Sequence, residues 1–172
     1  MKAKLMIVGF FLFFTVNGLI AQKYPSPDVK DVPFYFDEGK NTLTKLEHYA
    51  LNIEDRHVGI WGSVEVIAIP GLSSNVKFSR NNSLQFIIRL EDDANPSALC
   101  ELDAFETKGK GQREYIATKS GAHGAIKQAS VAIKFDKVGP GLYLITAPKN
   151  IGQGEFFFKV LSTKDVYAFG CD

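Results

Sequence analysis

Apolar side chains recur at every second position through most of this chain, and that spacing constrains its fold more than any other feature. Leu84, Phe86, Ile88 and Leu90 alternate with Gln85, Arg89 and Glu91, interrupted only by Ile87. A β-strand sends successive side chains to opposite faces, so the pattern predicts a strand with one core face. Val131, Ile133 and Phe135 alternate with Ala132, Lys134 and Asp136 in the same way, as do Val64, Val66 and Ala68, and Phe156, Phe158 and Val160. Shorter strand-like runs are Val76 to Phe78, Cys100 to Phe105, Tyr115 to Thr118, Leu142 to Ala147 and Val166 to Cys171.

Turn-forming clusters separate these runs: Pro70-Gly71, Arg80-Asn81-Asn82-Ser83, Asp92 to Pro96, Gly139-Pro140-Gly141 and Asn150 to Gly154. No amphipathic helix is evident between them, which predicts antiparallel pairing, because parallel neighbours need a long crossover. The expected fold is all-β: an antiparallel immunoglobulin-like β-sandwich with an N-terminal β-hairpin appendage. Gly154-Glu155-Phe156 has the Gly-then-aromatic form that opens a late strand in such sandwiches, although Phe156 lacks the hydroxyl of a tyrosine corner.

The N-terminus carries an address. Lys2 and Lys4 precede an apolar run from Leu5 to Val16, shorter than the roughly 20 residues a membrane-spanning helix needs. Asn17-Gly18 breaks it, and Leu19-Ile20-Ala21 offers a small residue at the cut. This predicts residues 1–21 as a signal peptide cleaved after Ala21, and a periplasmic or secreted product. An uncleaved signal would be the only contact with a membrane. No cysteine precedes Cys100, so no lipid-acceptor cysteine follows the run.

Residues 22–60 form the second predicted unit. Tyr24-Pro25-Ser26-Pro27-Asp28 reads as an extended, mobile arm. Pro33 to Phe36 and Thr42 to Leu46 flank Asp37-Glu38-Gly39-Lys40-Asn41, the form of a hairpin with a five-residue loop. Residues 61–172 form the third, the sandwich itself.

Two passages resemble exported, β-rich proteins of Bacteroidota that have no assigned activity. The first is Val32 to Lys40, followed by Leu43 and Leu46-Glu47. The second is Gly154-Glu155-Phe156-Phe157-Phe158 with Val166-Tyr167-Ala168-Phe169-Gly170-Cys171-Asp172. The C-terminal pattern of that group is Gly-Glu-aromatic, then Phe-Gly-x-Asp. Phe156 replaces the usual Tyr, and Cys171 stands where an aliphatic is common. The resemblance implies fold and address but no site residue, and the Cys171 exchange favours a buried thiol.

Candidate chemistry is sparse. Cys100 and Cys171 lie in strand-like runs of an exported chain, where they form either one disulfide or two separate buried thiols. His48 and His57, with Glu54 and Asp55 near, match no zinc-ligand spacing. His123 beside Ser120, Gly121 and Gly124 lacks the strand–Ser–helix context of a nucleophile elbow. Glu91-Asp92-Asp93 with Asn95 lacks the spacing of a calcium loop. Losing Lys2 and Lys4 takes the formal net charge from +1 to slightly negative, and the basic run Lys108 to Arg113 reads as a solvated hairpin loop. No clustered basic face marks a nucleic-acid footprint. No catalytic residue, metal site or cofactor is expected.

The expected function is therefore that of an exported, non-enzymatic module acting in binding or envelope assembly. Its partner would be a protein or glycan, and Trp61, Tyr35 and Tyr49 are the candidate ligand-binding rings. The alternatives are a small secreted hydrolase, glycan-acting for example, and a strand-adding chaperone- or inhibitor-like protein. Ligand identity, strand order and oligomeric state are left open.

Overall fold

The computed structural model describes residues 23–59, 62–79, 83–108, 111–121, 124–127 and 129–172. The signal sequence, Trp61 and His123 lie outside them. In chain order the strands are β1 (Phe34–Asp37), β2 (Thr42–Lys45), β3 (Glu47–Ala50), β4 (Ile53–Val58) and β5 (Gly62–Pro70). Then come β6 (Lys77–Phe78), β7 (Gln85–Arg89), a one-turn helix α1 (Pro96–Leu99), β8 (Cys100–Lys108) and β9 (Gln112–Gly121). The chain closes with β10 (Gly124–Lys127), β11 (Lys134–Gly139), β12 (Leu142–Thr146), β13 (Gly154–Val160) and β14 (Asp165–Cys171).

The strands form a sandwich of two sheets. The five-stranded sheet runs β11-β12-β7-β1-β2, and the larger runs β3-β14-β13-β8-β9-β5-β4, with β10 on β9 and β6 on β14. All pairs are antiparallel except β6 with β14. This layout is larger than the seven strands of a constant-type immunoglobulin sandwich. Short turns join some of the antiparallel neighbours, β11 with β12 and β13 with β14 among them. Gly141 takes φ 59° between β11 and β12, where a Cβ would collide with the Leu90 carbonyl oxygen; a side chain there is disfavoured on both counts.

The main core lies between the sheets. Phe86, Ile88, Tyr143 and Ile145 of the smaller sheet meet Leu102, Phe156, Phe158 and Phe169 of the larger. Phe86 sits edge-on to Phe158 at 4.8 Å, a favoured aromatic geometry. Both sheets are also apolar on their other faces. Phe36, Ile87, Leu142 and Leu144 cluster on one side. On the far side of the larger sheet, Phe105, Phe157, Val166 and Ala168 pack with Ile67, Ile69 and Tyr115 of β5 and β9, forming a second core. Strict alternation thus fails in β13, where every residue after Gly154 is buried.

Several expectations need correction. The hairpin is present as β1 and β2, but it is no appendage: β1 also pairs with β7, Phe34 opposite Ile87, and completes the smaller sheet. A lone two-stranded hairpin is marginal in water, and this ladder supplies the missing support. The division at residue 60 is no boundary either, since β4 pairs with β5 across it. The arm is docked: Pro27 is buried, Tyr24 packs edge-on to Phe36, and Arg89 Nη2 donates to the Asp28 carbonyl at 2.6 Å. The predicted strand from Val131 to Asp136 is shifted to β11. Val131 instead makes a single bridge to Leu102.

Cys100 and Cys171 are both buried and are not joined in a disulfide. Cys100 pairs with Val160 and Cys171 with Gly154, at opposite ends of β13. Six residues of strand hold them about 20 Å apart, far beyond the reach of a disulfide. Burial, aided by the Glu101 charge, pushes the Cys100 thiol up, so it stays protonated.

Candidate functional site

The chain leaves the smaller sheet at Lys45 and enters the larger one at Glu47. A groove of about 460 Å³ opens at this seam. Phe34, Leu46 and Tyr167 form its apolar floor, each less than a tenth exposed. Val29, Lys30 and Val32 of the arm make one wall, while Thr163 and Asp165 make the other. Both flanking strands, β2 and β3, end their sheets' pairing orders among the described residues.

His48 projects from β3 into the groove. Its Nε2 lies 2.9 Å from Asp165 Oδ1, and its ring stacks on Tyr167 at 5.0 Å and 17°. Burial pushes the Asp165 carboxyl up. Hydrogen bonds from His48, Thr163 and Tyr167 more than offset this, so it titrates below its ordinary value. An ionised carboxylate only accepts, so the His48 Nε2 carries the proton. Burial, reinforced by the Asp165 charge, raises the Tyr167 phenol to about 12. Lys30 pairs with Glu91 at 2.5 Å. Lys45 is exposed, with no ion-pair partner among the described residues.

No family model, curated protein or solved structure matches this chain.

Of the candidate rings, Tyr35 and Tyr49 lie apart. Tyr35, on β1, stacks on Phe78 at 3.8 Å and helps to cover the main core. Tyr49, on β3, packs against the second core, and its hydroxyl donates to Glu47 at 3.4 Å. Trp61 lies outside the described residues. His48 and His57 are on β3 and β4, which pair with different strands. Among the described residues no group of three His, Cys, Asp or Glu is arranged to hold a metal ion. Sequence reasoning missed Asp165, Tyr167 and Lys45 as groove residues. Asp165 is 117 positions from His48, and only β3–β14 pairing brings them together.

The depressed Asp165 fixes the sign of one pH effect. A carboxyl whose folded value lies below its unfolded one stabilises the fold above the unfolded value, ordinarily 3.8, and that contribution is lost as pH falls through the folded value. Asp165→Asn is expected to lower stability near neutrality by about 0.5–1 kcal/mol, since the His48 side is largely solvated. Below the ordinary carboxylate range the variant and the parent should converge. Denaturant unfolding at neutral and acidic pH checks this; a difference that widens with acidification contradicts it.

Proposed function

We propose that this chain is an exported, non-enzymatic β-sandwich module that binds an extended segment of a partner protein in the groove between β2 and β3. The observation that carries this reading is the groove's apolar floor of Phe34, Leu46 and Tyr167, set beside β2 and β3, the strands that end their sheets' pairing orders. Edge backbone supplies hydrogen bonds to an extended segment, and the floor accepts alternate side chains. Lys45 at the rim, exposed and without an ion-pair partner among the described residues, favours a segment with an acidic residue beside its apolar ones. The leader-like run ending at Ala21 supports export to the periplasm or beyond.

Selection from a displayed peptide library tests the reading. Enriched sequences should be apolar with an acidic residue, and Lys45→Glu or Val29→Asp should weaken their binding about tenfold, equal to about 1.4 kcal/mol. Val29 is 55% exposed, so its replacement leaves the core intact. Binding indifferent to both changes, or no enrichment over an unrelated sandwich protein, rejects it.

One observation favours a second reading, a small hydrolase. The His48–Asp165 pair has the form of a base oriented by an acid. Turnover of an ester or glycoside panel that disappears in His48→Ala would move the protein to that class.

A further inference from the structure

Lys159 lies on the face of β13 that turns into the second core, beyond Phe157. It is 8% exposed. Its Nζ is 2.5 Å from Glu101 Oε2 and 3.8 Å from Asp103 Oδ2, both on the neighbouring β8. Glu101 stands directly opposite Lys159, and Asp103 opposite Phe157, so Asp103 is the diagonal neighbour of Lys159 on the same face. The Asp103 side chain is fully buried, and neither of its carboxylate oxygens has a well-formed hydrogen bond. The Tyr115 hydroxyl beside it is in the same position. Phe157 between Phe105 and Tyr115 makes the surroundings aromatic.

An ion pair serving only stability would place the ammonium against the buried carboxylate and satisfy its lone pairs. Here the amine contacts Glu101 and stands just short of Asp103. Burial raises the Asp103 carboxyl, while the nearby Ser130, Lys159 and Tyr115 groups act against that rise. Burial disfavours charge on the Asp103 carboxyl, and so favours its neutral acid form. A protonated carboxyl is an electrophile toward an amine, and the buried Lys159 Nζ stands 3.8 Å from Asp103 Oδ2.

We propose that Lys159 and Asp103 join in an intramolecular isopeptide bond, with Glu101 carrying the proton between them. The Nζ lone pair attacks Asp103 Cγ and forms the N–C bond. Glu101 takes a proton from Nζ and delivers it to the departing carboxyl oxygen. The C–O bond then breaks and its electron pair leaves with the oxygen as water. One amine and one acid give one amide and one water, with no change of oxidation state and no external reactant. The bond ties β8 to β13 covalently and so restricts the unfolded chain as a disulfide does, in a protein whose two cysteines are too far apart to form one.

Mass spectrometry of the purified full-length product, denatured and proteolysed, tests this. The expected result is a branched peptide joining the Asp103 and Lys159 segments, lighter by one water than its two parts. Glu101→Gln should give the two linear peptides while keeping the far-ultraviolet dichroism of the parent. Asp103→Asn should change the lost molecule from water to ammonia, which identifies the acyl donor. Only linear peptides from the folded parent overturn the proposal. Full branching in Glu101→Gln, or continued loss of water in Asp103→Asn, overturns the assigned roles.

Discussion

Replacing Arg113 by alanine is expected to cost about 3–5 kcal/mol of stability, the range for stranding a buried charge by removing its partner. Arg113 is 1% exposed, at one end of the second core. Its Nη1 donates to Glu155 Oε2 at 2.9 Å, and its Nη2 donates to Glu47 Oε2 at 3.0 Å. The two carboxylates also receive the Ser74 and Asn75 backbone N–H groups, at 2.8 and 2.7 Å. One guanidinium thus holds β9, β13, β3 and the segment before β6 together. Without it, two largely buried carboxylates face each other. Burial pushes Glu47 up, but its bonds from Asn75 and Arg113 hold it below the ordinary value, so it stays ionised at neutral pH. Neutralising both acids in the Arg113→Ala background should therefore restore part of the loss. Denaturant unfolding measures all of these variants, and a single-variant cost below about 1 kcal/mol would show that the cluster is solvated.

Phe157→Ala is expected to be as damaging as Phe158→Ala, each at about 3–5 kcal/mol. The two rings point to opposite faces of β13, and both are completely buried. Phe158 meets Phe86 between the sheets. Phe157 stacks on Phe105 at 4.2 Å and takes the edge of Tyr115 at 5.3 Å. In a sandwich with one core, truncating the outward ring would change stability little. Equal losses measure the second core directly. A Phe157→Ala variant within about 1 kcal/mol of the parent would remove it from the description.

Both residues show where sequence reading stops. Arg113 ends a Gly- and Lys-rich run, which reads as a solvated loop; within it Lys108 and Gln112 pair as neighbours of β8 and β9. Arg113 itself is already in β9, opposite Ile69 of the second core. Phe157 reads as the solvent side of an alternating strand because Phe156 and Phe158 fill the other register. Nothing local distinguishes a face that meets water from one that meets another part of the same sheet.

The sequence by itself determined the all-β class, the positions of most strands and the β1–β2 hairpin, because alternation and turn chemistry act over a few residues. Tertiary structure decided the rest. Only strand order places Cys100 and Cys171 at opposite ends of β13, makes the hairpin part of a sheet, and sets His48 beside Asp165 or Lys159 beside Asp103. Those neighbours are fixed by long-range pairing and by burial on both faces. Local residue patterns carry no record of which face a distant strand will cover.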